Sequence, residues 1–144
     1  ESPGLSASPA IAEYVAEILR NSGLKLEINE NFNPVREPMH RFRDADIDEK
    51  NRIIKQDPRF GRVICRCETV TEGEIVEAIY KNPGARDIDG VKRRTRSGMG
   101  RCQGGFCLPY VAEILSRELG KKYDDITKSG GNSHITVGKT KGAV

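Results

Sequence analysis

Apolar residues recur along this chain mostly at helical spacing. Ile11, Val15, Ile18 and Leu19 fall at i, i+4, i+7 and i+8, the stripe of an amphipathic helix over residues 8–22. Ser8 is its expected N-cap, Pro9 suits the first helical position, and Gly23 is placed to end it. Residues 24–60 are polar and irregular, broken by Pro34, Pro38 and Pro58. They read as a connector without a core of its own, holding one short helix over 46–56 with Ile47, Ile53 and Ile54 inward. Residues 61–120 carry the densest pattern. Residues 62–64 form a short extended run into Cys65, and Thr71 with Glu74 makes a T-x-x-E capping box. A helix therefore starts at Thr71, buries Ile75, Ala78 and Ile79, and stops at Asn82-Pro83-Gly84. A further short helix is expected over 89–97, with Gly98 as its stop. The last begins around Pro109, with Val111, Ile114, Leu115 and Leu119 as its stripe and Gly120 as its end. Residues 121–144 read as a tail with one short strand over 134–137. The expected fold class is mainly α with short extended segments.

Composition narrows the function classes. The hydrophobic share is 36% and the charged share 31%, with no tryptophan, which is lean beside the usual ~45–50% apolar content. A net charge of only +3 and the periodic runs separate the chain from disordered sequences. No run approaches the ~18 apolar residues of a membrane span. The 24 cations and 21 anions are mixed along most of the chain, which argues against a general nucleic-acid binder. No basic start leads into an apolar run, so a cytoplasmic location is expected, with membrane association only through a partner subunit. The chain opens on Glu1 and reads as a piece of a longer protein.

Cys65, Cys67, Cys102 and Cys107 form C-x-C, a gap of 34 residues, then C-x4-C. Disulfides are one reading, disfavoured in a reducing compartment. A structural zinc site is a second, although neither pair has the usual C-x2-C spacing. A [2Fe–2S] cluster is the third, because four thiolates hold it, two on each iron. An extended C-x-C would bring two sulfurs to one iron, and the loop Gln103-Gly104-Gly105-Phe106 would separate the other two. The glycines there let backbone N–H groups turn toward sulfur. The helix that follows points its N-terminus at the same anionic object. Lys92, Arg93, Arg94, Arg96 and Arg101 form a run without an acid. Such cations favour the reduced, more anionic form of a cluster, or dock an acidic electron-transfer partner.

The strings Val63-Ile64-Cys65-Arg66-Cys67-Glu68, Val70-Thr71-Glu72-Gly73-Glu74-Ile75 and the whole of 91–107 resemble a known domain. It is the [2Fe–2S] domain related to bacterioferritin-associated ferredoxin, in the form fused to FAD-dependent glycerol-3-phosphate dehydrogenase-like proteins. The resemblance covers about residues 60–120 and makes all four cysteines cluster ligands. The C-x4-C departs from the C-x2-C of the shorter ferredoxins and matches the flavoprotein-fused branch. Residues 1–12 are similar to the end of the FAD-binding fold of the D-amino-acid-oxidase-like family. There a loop and helix N-terminus meet the flavin, and Gly4, Leu5 and Ser6 would be the contacts.

Together these resemblances imply a division into 1–23, the terminal helix of a truncated FAD-binding domain; 24–60, a connector; 61–120, the [2Fe–2S] domain; and 121–144, a tail. FAD is expected only in the full-length parent, since the dinucleotide-binding glycine turn is absent here. The implied function is electron transfer between flavin and an acceptor within an oxidoreductase, the fragment alone not being catalytic. The implied partners are the FAD domain of the same parent chain and an acceptor subunit or small electron carrier. The alternative is a zinc- or cluster-stapled interaction module without a redox role.

Overall fold

The computed structural model describes residues 3–141 and divides into two units between Glu37 and Pro38. The division falls inside the segment that the sequence presents as one connector.

The first unit is helix α1, Gly4–Asn21, followed by an extended stretch. The helix starts four residues before the expected Ser8 and carries Pro9 inside it. Pro9 has no N–H to offer the Leu5 carbonyl four residues back. Ser8 Oγ donates to that carbonyl instead, at 2.8 Å, so the helix continues through the proline. The stripe of Ile11, Val15, Ile18 and Leu19 is exposed, and α1 buries no residue.

The second unit opens with helix α2, Ile47–Gln56, capped by Asp46, whose carboxylate accepts from Glu49 N at 2.8 Å. Ile53 is buried and Ile54 half-buried, but Ile47 is 75% exposed, against the expectation that it turns inward. Phe42, Ile53 and Phe60 make a small core, so this stretch is more than a connector. A 3-10 turn, Pro58–Gly61, leads into strand β1, Val63–Cys65, which pairs antiparallel with β2, Val70–Thr71.

Helix α3, Glu72–Tyr80, starts as the capping box requires: Thr71 Oγ1 accepts from Glu74 N, and the Glu74 carboxylate accepts from Thr71 N at 2.7 Å. Gly73 lies under the Phe60 ring, where a Cβ would collide. Helix α4, Ile88–Thr95, is capped by Asp87, which accepts from Gly90 N at 2.6 Å. It ends two residues before the predicted Ser97, because Arg96 takes the left-handed conformation (φ 69°) ahead of Gly98. Helix α5, Leu108–Leu119, has Pro109 in its first turn and Gly120 as its left-handed cap.

The main core joins Ile64, Val70, Ile75, Val76, Ile79, Val91, Val111, Ile114 and Leu115, the inner faces of the hairpin and α3–α5. The segment after α5 contributes to it. Ile126 is 1% exposed and Ile135 packs against the core, so these residues are not a loose tail. The strand expected over 134–137 is reduced to a single bridge between Thr127 and His134. The last three residues of the expected tail lie outside the described residues.

Candidate metal centre

Two segments of the second unit bring the four cysteines to one cavity of about 760 Å³. The first is the hairpin: Cys65 ends β1 and is buried, while Cys67 sits in the connecting turn and is exposed. The second is the loop from α4 to α5. Its turns are closed by Met99 N to Arg96 O at 2.9 Å, Gln103 N to Gly100 O at 3.0 Å and Leu108 N to Gly104 O at 2.9 Å. Gln103 and Gly104 are both left-handed (φ 49° and 87°), and the Gln103 side chain donates to Gly100 O at 2.9 Å. Gly100 meets the Cys67 side chain so closely that a Cβ there would overlap the Cys67 Cβ. The absent side chain lets the loop approach the hairpin turn.

All four thiols are free. Cys67 and Cys102 Sγ atoms are 3.6 Å apart. That is far beyond a disulfide and close to the ~3.8 Å expected of two sulfurs on one tetrahedral metal at about 2.3 Å each. Cys107 has both Cys65 and Cys102 as thiol neighbours. The hairpin brings Cys65 and Cys67 and the loop brings Cys102 and Cys107, and the Cys67–Cys102 contact crosses between the two. The turn after Cys65 leaves one sulfur of the C-x-C buried and the other exposed. Among the described residues, no three of His, Cys, Asp or Glu converge on a point that would hold a single ion. Four thiols lining one cavity from two segments suit a two-iron unit, and the thiolate donor set fits it.

The loop amides add to that fit. The backbone N–H of Phe106 holds the Cys102 thiol below its ordinary pKa, helped by the Cys67 thiol and then by the N–H groups of Gly104 and Gly105. The glycine loop thus aims amides at sulfur, as the sequence suggests. Burial pushes the Cys107 thiol up, while the nearby Ser97 hydroxyl pulls it down. Ser97 Oγ is itself buried without a hydrogen-bond partner.

The five-cation run does not act as one patch. Only Arg101 of the run lines the main cavity, joined there by Arg62 and Arg66, and no acid lines it. Arg94 turns back onto the carbonyls of Pro83 and Gly90, and Arg96 pairs with Glu68 at 2.9 Å. The Arg96 hydrogen bond holds the Glu68 carboxyl below its usual range, with Arg43 adding to it. Lys92 lines a second, smaller cavity. Phe106, 80% exposed, and Tyr110 rim the main cavity, a role that composition and spacing give no means to find. Gly4, Leu5 and Ser6, the expected flavin contacts, form the first turn of α1 in the other unit, where no side chain caps the helix.

A small helical domain with four thiols brought to one cavity from two segments is the class that the fold and site define. Residues 63–117 match the family described as BFD-like [2Fe–2S] binding domain. Over all 144 residues the chain is 57% identical to a glycerol 3-phosphate dehydrogenase of Caloramator mitchellensis, of which it covers 30%. Over 63 residues, 44% of the chain, it is 49% identical to the HcnB component of the hydrogen cyanide synthase of Pseudomonas aeruginosa, covering 13% of it. Over 55 residues, 38% of the chain, it is 42% identical to one of the subunits of the anaerobic glycerol-3-phosphate dehydrogenase of Escherichia coli, covering 10% of it. No solved structure matches the chain. No helix among the described residues is long and apolar enough to cross a membrane.

Proposed function

We propose that this chain is the electron-transfer portion of an FAD-dependent, glycerol-3-phosphate dehydrogenase-like oxidoreductase, placed between flavin and an acceptor. The observation that carries the reading is the convergence of four thiols from two segments on one cavity, with Cys67 and Cys102 at 3.6 Å. A [2Fe–2S] cluster held by Cys65, Cys67, Cys102 and Cys107 supplies one-electron chemistry. The chain's own residues supply the environment. The amides of Gly104, Gly105 and Phe106 stabilise negative charge at Cys102. Arg62, Arg66 and Arg101 raise the potential by opposing the charge gained on reduction. The buried Cys65 and Cys107 keep one side of the site from water, and the exposed Cys67 and Phe106 give an acceptor subunit or small carrier a short path to the other. In the parent, Gly4, Leu5 and Ser6 would present the uncapped N-terminal amides of α1 to the flavin.

The test uses the full-length parent under anaerobic conditions, with glycerol 3-phosphate as reductant. Wild type should show flavin bleaching followed by the EPR signal of a reduced iron–sulfur centre. Cys67→Ser should bleach its flavin and lose that signal. Flavin bleaching in wild type with no electron reaching the iron at any time would contradict the relay.

A further inference from the structure

Ser97 stands out among the buried polar side chains. It is 4% exposed, and its Oγ is the only buried side-chain nitrogen or oxygen among the described residues without a hydrogen-bond partner. Leaving such a group unpaired is costly, so native proteins rarely keep one without a use. The backbone gives it no freedom to escape. Ser97 N donates to Thr95 Oγ1 at 3.1 Å, and Thr95 Oγ1 donates to Val91 O at 2.9 Å, which anchors the residue to the last turn of α4. Arg96 and Gly98 on either side both hold left-handed conformations. The side chain is thus fixed inward. It lines the smaller cavity, about 200 Å³, together with Cys107, Gly98, Gly104 and Leu108. Cys107 lines both cavities.

A protonated thiol is a poor acceptor, which accounts for the unpaired hydroxyl beside Cys107. A metal-bound thiolate is anionic and accepts strongly. We propose that Ser97 Oγ–H donates a hydrogen bond to the Cys107 sulfur when that sulfur ligates iron, and that this bond sets the cluster's reduction potential. Ser97 is then a positioning and tuning residue acting through Cys107. Reduction adds negative charge to the sulfurs, so a donor there favours the reduced form and raises the potential. The inference rests on the cluster reading above.

The test is a redox titration of the cluster-loaded protein, followed by its visible spectrum, for wild type, Ser97→Ala and Ser97→Thr. Ser97→Ala removes the donor and only one heavy atom. At a fixed solution potential its ratio of reduced to oxidised cluster should fall about threefold to tenfold, tenfold being ~59 mV for one electron. Ser97→Thr keeps the hydroxyl and should stay near wild type. A Ser97→Ala potential equal to wild type would overturn the proposal, and so would equal shifts in both variants, which would report packing alone. Either result leaves the relay standing as long as wild type carries a reversibly bleached cluster. A wild type without iron and sulfide would overturn the cluster reading and this inference with it.

Discussion

Glu72 shows how single residues hold the site's frame. Its side chain is 7% exposed and accepts from Arg117 at 2.6 Å and Arg62 at 2.9 Å, tying α5 to the residue before β1. Burial pushes its carboxyl up, but Arg117 and Arg62 together hold it below the usual range. A carboxyl depressed in the folded state stabilises fully above its unfolded pKa, and that contribution is lost as pH falls through the folded value. Both arginines are about half exposed, so solvent screens part of the attraction. Glu72→Gln should therefore cost about 1–2 kcal/mol at neutral pH by denaturant titration. Its difference from wild type should shrink as pH drops below the ordinary ~4.3 of a glutamate. A difference that stays constant down through the acid range would show that charge is not what Glu72 contributes. At this scale the four cysteines are legible in the sequence, because their spacing is itself the signal. The way they converge is not, since it depends on a turn with Thr69 at φ 52° and a loop with Gln103 and Gly104 both left-handed. Ser97 carries no signal either, because an unpaired hydroxyl is a property of its surroundings.

Among the elements, α3 is the one best specified locally. Its capping box satisfies two helix-end amides reciprocally, and Phe42 N donates to the same Glu74 carboxylate at 3.1 Å. Thr71→Ala should cost about 1 kcal/mol and raise amide exchange over the first turn of α3 before its last turn. Uniform exchange along the helix would assign the cap no local role. The boundaries that differ from sequence expectation share one kind of cause: a side chain takes over a backbone bond. Ser8 Oγ serves the carbonyl that Pro9 leaves, which lengthens α1, and Asp87 caps Gly90, which starts α4 early. The expected strand over 134–137 fails for another reason. The local pattern of His134 to Val137 cannot report that Ile126 and Ile135 are held by packing against α3–α5.

For the molecule as a whole, the hairpin and the α4–α5 loop meet at the cysteine site and at the Arg96–Glu68 pair, while their flanking helices share the core. A small domain gains much of its order from such attachments. Removing the cluster should raise hydrogen exchange over residues 63–71 and 96–107 and in the facing ends of α3 and α5. The α1 unit, which holds none of the four cysteines, should change little. Equal protection with and without the cluster would rule out a stapling role and leave only electron transfer. The chain covers 30% of the glycerol 3-phosphate dehydrogenase it aligns with. The most direct measurement of the central claim is iron and acid-labile sulfide per chain in anaerobically prepared protein, with EPR after one-electron reduction and reoxidation. The account predicts about two irons and two sulfides, a reversible signal, and its loss or strong alteration in a serine variant at each of the four cysteines. A colourless protein holding a single zinc, or serine variants that all keep the wild-type spectrum, would contradict it.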